Sequence, residues 1–176
     1  MNVFVLNTGR CGSTTFIKAC QHISNYTSSH ESLLDRTGDQ RLAYPKNHIE
    51  ADNRLSWFLG QLDNKYADDA IYVHLKRERE AVAASFSKRI DFGILKAYEQ
   101  GILMHQEHRY PASDIALDYI DTVNANIALF LKDKTNKIDV SIETVNTDFV
   151  GFWELIGAEG NLDEALNEWT INYNAS

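Results

Sequence analysis

The first seventeen residues constrain this chain more than any other stretch. Val3-Phe4-Val5-Leu6 is a short apolar run that breaks at Asn7-Thr8-Gly9-Arg10-Cys11-Gly12, and Ser13-Thr14-Thr15-Phe16-Ile17 continues in helix-compatible residues. An apolar strand, a glycine-bearing turn and a helix in that order are a building unit of a parallel α/β sheet. Such a turn is also an anion site. Backbone N–H groups at the start of a helix lack intrahelical partners and carry partial positive charge, so they receive phosphate or sulfate oxygens. Gly9 and Gly12 let the backbone approach a ligand. Arg10 adds a planar guanidinium fork, and Ser13, Thr14 and Thr15 add hydroxyl donors around Cys11.

What the turn lacks narrows the ligand. A nucleotide-triphosphate loop reads G-x-x-x-x-G-K-[ST]. Here Ser13 follows Gly12 where that pattern needs lysine, and only Arg10 and Cys11 separate the glycines. The cradle suits an anion but carries no ATP-type lysine. The competing reading is an ordinary strand-to-helix turn.

Further along, helical spacing predicts a first helix from Ser13 to about Ile23, then a weak strand or loop over residues 25 to 31 that ends at His30-Glu31. Residues 35 to 47 read as loop. A short strand is expected at His48–Ala51, and Asp52 or Asn53 caps a helix carrying Leu55, Trp57, Phe58, Leu59 and Leu62. Ala70-Ile71-Tyr72-Val73-His74-Leu75 is the second clear strand, followed by a helix with Ala81, Val82, Ala84, Ser85 and Phe86. Residues 93 to 108 read as a helix, and a long one follows from Ser113 or Asp114 to about Lys132. Ile138, Val140 and Ile142 alternate with polar residues as a half-buried strand does. Phe149, Phe152, Trp153 and Ile156 form a helical stripe closed by Gly157, and Asn161 to Glu164 has capping-box spacing for a last helix. Strands alternating with helices predict a three-layer α/β/α fold with a mainly parallel central sheet, of the P-loop NTPase-like kind.

In such a sheet ligands sit beyond the carboxyl ends of the strands, which brings Arg10 and Arg77 to one rim. Arg77 ends a strand and Ser85 lies eight residues later, so the two can converge on one phosphate group. A solvated charge cluster over Lys76 to Glu80 is the plain alternative.

Taken together, the two stretches resemble the sulfotransferase family. Val5 to Thr14 is similar to the 5′-phosphosulfate loop, closest to the branch whose loop reads R-x-G-S-[ST]. Tyr72 to Phe86, with Arg77 and Ser85 eight positions apart, resembles the family's 3′-phosphate motif. Ile142-Glu143 and Phe149 to Gly157 look like its closing strand and helix. The resemblance implies 3′-phosphoadenosine 5′-phosphosulfate (PAPS) as cofactor, with adenosine 3′,5′-bisphosphate as product and no metal. Arg10, Cys11, Gly12, Ser13, Thr14 and Thr15 would hold the phosphosulfate, and Arg77 with Ser85 the 3′-phosphate. Arg10 would also stabilise charge during transfer. The base is sought after the presumed second strand, where this branch often carries a glutamate in a Glu-Pro-Leu-like setting. Here the stretch is His30-Glu31-Ser32-Leu33, with serine at the proline position. Glu31 is the favoured base and His30, attractive for its near-neutral pKa, the alternative.

Other candidates read as structural. Trp57 is available as an adenine wall but is better explained as core. His74 lies inside a strand and should hydrogen-bond in or beside the core. His105 and His108, with Glu107, suit a solvated helix face, and Lys88 and Arg89 read as a surface cluster, the alternative being a reach to the 3′-phosphate if their helix ends there.

Composition sets the remaining bounds. With 176 residues the expectation is one sulfotransferase-like domain over 1–176. The net charge of −8 argues against nucleic acid, an anionic membrane surface or a highly sulfated polymer as partner, leaving a small-molecule or carbohydrate acceptor. Two cysteines, Cys11 and Cys20, make no disulfide scaffold, and no Cys/His spacing resembles a zinc site. No apolar run approaches the ~20 residues of a membrane span, and no signal-like block precedes the first strand, so a cytoplasmic location is expected. A P-loop nucleotide or small-molecule kinase, or a non-catalytic nucleotide-binding module, are the alternative functions. Residues 35–53 and 90–112, the segments placed to line an acceptor site, carry no specificity signature.

Overall fold

The computed structural model describes residues 1–105, 109–171 and 173. Five strands form one parallel sheet: β1 (Asn2–Leu6), β2 (Thr27–His30), β3 (His48–Ala51), β4 (Ala70–Lys76) and β5 (Lys137–Ser141), in the order β2-β3-β1-β4-β5. Every ladder is parallel, with Val3 opposite both Ile49 and Ile71, and Val73 opposite Ile138. The chain leaves β1 toward β3 and β2, then returns to place β4 on the other side. The crevice between the carboxyl ends of β1 and β4 is therefore the topological switch point, where open α/β sheets bind ligands.

Seven α-helices among the described residues cover the sheet: α1 (Ser13–Cys20), α2 (Leu59–Tyr66), α3 (Arg79–Ser87), α4 (Gly93–Ala97), α5 (Ala112–Leu131), α6 (Val145–Leu155) and α7 (Leu162–Asn167). The alternation of β1 and β4 divides their side chains between two faces. Phe4 and Tyr72 point to one, where Phe4 meets Tyr66 of α2 and Tyr72 meets Phe130 of α5 edge-on. On the other face Phe16 of α1 packs on Phe149 and Phe152 of α6, and Trp169 closes that cluster. The result is the expected α/β/α sandwich. The central strands β1 and β4 are buried almost throughout, as strands covered on both faces must be.

Several boundaries differ from the sequence expectation, each for a local reason. α1 stops at Cys20 instead of near Ile23, because Ile23 leaves the helix to bridge Gly160. Residues 38–42 form a 3₁₀ turn with buried Arg41 and Leu42 rather than plain loop. Asp52 does cap, its side chain accepting Arg54 N–H, but the cap starts a 3₁₀ turn (Asn53–Trp57) and α2 begins separately at Leu59. The helix expected over 93–108 is α4 followed by a π turn at Tyr98–Ile102. His105 lies beyond that turn and is half-buried; Glu107 and His108 fall outside the described residues. Asn161 caps α7 by accepting Glu164 N–H at 3.1 Å, while the Glu164 carboxylate reaches His22 instead of closing the capping box.

Candidate functional site

The loop between β1 and α1 is held from beneath. The Asn7 side chain donates to Val5 O at 3.0 Å and accepts Gly9 N–H at 2.8 Å, folding the turn back on its own strand. Tyr119 of α5, fully buried, donates to Thr8 O at 2.8 Å, and Ser56 donates to Asn7 O at 3.2 Å. The upper side is left to glycine. Gly9, Arg10 and Gly12 all have positive φ (87°, 59° and 81°). Gly12 is the N-cap of α1 and has no side chain to satisfy the first-turn N–H groups. A Cβ on Gly12 would stand 2.6 Å from Ile142 Cδ1, in a backbone region that side chains disfavour.

Above this loop lies a cleft of about 580 Å³. Its floor is Gly9, Arg10 and Gly12 to Thr15. On the β4–β5 side stand Arg77, Ile142, Trp169, Thr170 and Ile171. On the β3–β2 side stand Asn53, Arg54, His30 and Glu31. Phe86, Arg89, Phe92, Gly93 and Ile94 complete the wall.

The two anchors anticipated from sequence meet here. Arg10 Nε donates to Ser85 Oγ at 2.8 Å, and Arg77 Nη1 donates to Arg10 O at 3.2 Å. Partial burial, with Arg89 and Arg77 close by, lowers the pKa of the Arg10 guanidinium. Like charges gathered in this way repel one another, and an anion relieves that repulsion. Four arginines and one carboxylate, Glu31, line the cleft among the described residues, in a chain whose net charge is −8.

His30 and Glu31 both lie on the rim at the end of β2. His30 Nε2 is 2.9 Å from Ser13 Oγ, the first side chain of α1. Glu31 has a positive φ of 54°, costly for a residue with a Cβ, and its carboxylate is 3.0 Å from Arg54 Nη1. Cys11 is different. Its side chain is 1% exposed and turned from the cleft toward Asn7 Oδ1, 3.5 Å away, and burial pushes the thiol up to about 11. Only its backbone is placed to serve the loop.

Arg89, for which sequence favours a surface cluster over a reach to the 3′-phosphate, lines the cleft, which also contains residues that sequence reasoning missed. The available signal was helical, since Arg89 lies four residues after Ser85, on the same side of the turn that extends α3. Asn53 and Arg54 are delivered by the Asp52 cap, and no motif marks them. Trp169 lines the cleft and its buried Nε1 has no hydrogen-bond partner among the described residues. Trp57 lines a separate shallow groove with Leu129 and Phe130, is 41% exposed, and packs on Tyr98. His74 is a buried strand residue bonded to Asn124 Oδ1 at 3.1 Å. No group of three or more metal-ligating side chains, and no helix long and apolar enough to cross a membrane, occurs among the described residues.

The sequence matches no protein-family model and no curated protein. In fold, the chain is similar to the crystal structure of mouse sulfotransferase SULT7A1 complexed with PAP, with a TM-score of 0.51 and 14% sequence identity over 96% of this chain. The two share a sulfotransferase-like α/β/α fold. The chain spans 63% of the length of that enzyme.

Proposed function

We propose that the chain is a single-domain sulfotransferase that moves the sulfuryl group of PAPS to a hydroxyl or amine of a small-molecule or carbohydrate acceptor. The observation that carries this reading is the convergence of Arg10, Arg77 and Arg89 on one cleft above the glycine-capped start of α1. The Arg10 loop with the adjoining donors Arg77, Ser85 and Arg89 suits a ligand charged at both its 5′ and 3′ ends. The likeness to a sulfotransferase solved with PAP, the bisphosphate left after such a transfer, supports the same choice of nucleotide.

Arg10 and the first-turn N–H groups of α1 bind the phosphosulfate and stabilise charge on the leaving oxygen. Arg77, Ser85 and Arg89 take the 3′-phosphate. Ile142, Trp169 and Ile171 offer adenine an apolar wall. Bound PAPS supplies an activated sulfuryl group. Glu31 removes the proton from the acceptor as its oxygen or nitrogen bonds to sulfur, and the electron pair of the broken sulfur–oxygen bond leaves on the bisphosphate. His30 orients the Ser13 hydroxyl and is the alternative base.

Measuring PAPS turnover by Glu31→Gln and His30→Ala tests the assignment. Glu31→Gln should lose about 10²- to 10⁴-fold in rate, the range of general base catalysis, and His30→Ala about tenfold. Full turnover by folded Glu31→Gln removes Glu31 from the mechanism. Bisphosphate binding without PAPS turnover in the unmodified chain would make it a binding module.

A further inference from the structure

Two carboxylates, Glu50 of β3 and Asp52 just beyond its end, are deeply buried, and neither lines the cleft. Glu50 and Asp52 are both 0% exposed and, two residues apart on an extended stretch, point to one face. Burying a carboxylate is costly unless it is paired and hydrogen-bonded, and well-packed apolar residues would often be as stable. The groups that these two engage are therefore informative.

Glu50 accepts Ser32 N–H at 2.7 Å and the Ser32 hydroxyl at 2.6 Å, and its other partner is His48 Nε2 at 3.0 Å. Asp52 is ion-paired with buried Arg41 and accepts Arg54 N–H at 2.8 Å. The two halves are joined. The Tyr44 ring stacks on His48 at 5.6 Å, and its hydroxyl accepts from Arg41 Nη1 at 3.2 Å. Thr27 of β2 holds the outer His48 nitrogen at 2.8 Å. One network with a buried centre thus runs from exposed Ser32 to half-buried Arg54. Ser32 is the residue after Glu31, and Arg54 is its ion-pair partner.

We propose that Glu50 and Asp52 are positioning residues for Glu31: Glu50 fixes the backbone beside it through Ser32, and Asp52 fixes its cationic partner through Arg54. The proposal rests on the sulfotransferase reading for the use that is made of Glu31. It explains how a residue at positive φ, at the tip of the edge strand β2, is held in one place. Backbone strain at a rim persists only where surrounding contacts over-determine it. The four-residue β2, half of it exposed, contributes the Glu31 N–H bond to Ala51 O at 3.0 Å, and the network adds the holds on Ser32 and Arg54.

The test uses the full chain and three variants. Glu50→Gln and Asp52→Asn alter the network from inside. Ser32→Ala removes one bond from an exposed loop position and keeps the test open if a buried substitution fails to fold. Amide exchange of Ser32, read by NMR, reports the clamp independently of activity, and the kcat and KM of PAPS hydrolysis with water as acceptor report its use. Adenosine 3′,5′-bisphosphate affinity reports the cleft. The expected result is exchange at Ser32 about tenfold faster in Glu50→Gln. Hydrolysis kcat should fall about tenfold in each of the three variants, with bisphosphate Kd within about twofold of the unmodified chain. Glu31→Gln combined with Glu50→Gln should be no worse than Glu31→Gln alone, because groups that act through one another are not additive. Unchanged kcat in the folded variants, or full additivity with Glu31→Gln, overturns the proposal, as does a Ser32 amide that exchanges as freely as its loop neighbours. If the unmodified chain neither binds bisphosphate nor hydrolyses PAPS, the sulfotransferase reading fails instead, and exchange at Ser32 alone decides whether the network holds the loop.

Discussion

Gly12 carries two demands that no other residue meets together. Its φ of 81° is a left-handed conformation, and a side chain there would press on Ile142 Cδ1 at 2.6 Å. Gly12→Ala should lose about 1–2 kcal/mol of stability from the backbone alone, read as a lowered Tm, and bind bisphosphate more weakly because the Cβ sits at the start of the cradle. His74 supports a prediction about pH. Burial is the main cause that holds its imidazole pKa below the ordinary 6.5, while the Asn124 bond and Asp139 work against that shift and Lys76 adds to it. The unfolded chain therefore takes up the proton first. The contribution of neutral His74 is fully present above pH 6.5 and is lost as pH falls below it toward the lowered folded value. Chemical denaturation between pH 7.5 and 5 should show stability falling with acid, and His74→Gln should flatten that slope.

Strand β1, its loop and α1 form the element on which the site depends, and this was the most legible part of the chain. An apolar run, two glycines and a hydroxyl-rich helix start are local features, so the sequence states them directly. Arg77 and Ser85 were legible for the same reason, being a strand end and a point on the next helix face. Arg89 was not, because a charged side chain near a helix end suits solvent as well as a cleft, and only the packing of α3 against α5 chooses between them. Asn53, Arg54 and Trp169 come from a 3₁₀ turn and a C-terminal 3₁₀ segment, which have no strong periodicity of their own. The split of the expected helix at 93–108 into α4 and a π turn was likewise hidden, since Leu95 and Tyr98 are buried at a spacing that a regular helix also gives. At this scale Arg89→Ala should weaken bisphosphate binding by roughly 1.5–3 kcal/mol, the range for a hydrogen bond to a charged group. Lys88→Ala, altering the exposed neighbouring residue, should change it by less than about 0.5 kcal/mol. Isothermal calorimetry on both variants checks this, and equal effects would return Arg89 to the surface cluster.

Across the whole molecule, a net charge of −8 coexists with four arginines around one cleft. The sheet order explains how: the switch point between β1 and β4 collects strand-end residues distant in sequence, and Glu31 is the one carboxylate among the described residues that lines the cleft. The overall field repels long polyanions, and only the local cleft attracts a small one. The chain should therefore pass through a heparin column unretained at physiological ionic strength; strong retention would overturn the reading of a small or peripheral acceptor. Whether the cleft is built for an adenine nucleotide charged at both 5′ and 3′ ends is decided by calorimetry comparing adenosine 3′,5′-bisphosphate with AMP, which lacks the 3′-phosphate. Bisphosphate affinity should exceed that of AMP about 100-fold or more, roughly 2.7 kcal/mol, with most of the difference lost in Arg77→Ala. Equal affinity for the two nucleotides, or no binding of the bisphosphate, would contradict that reading.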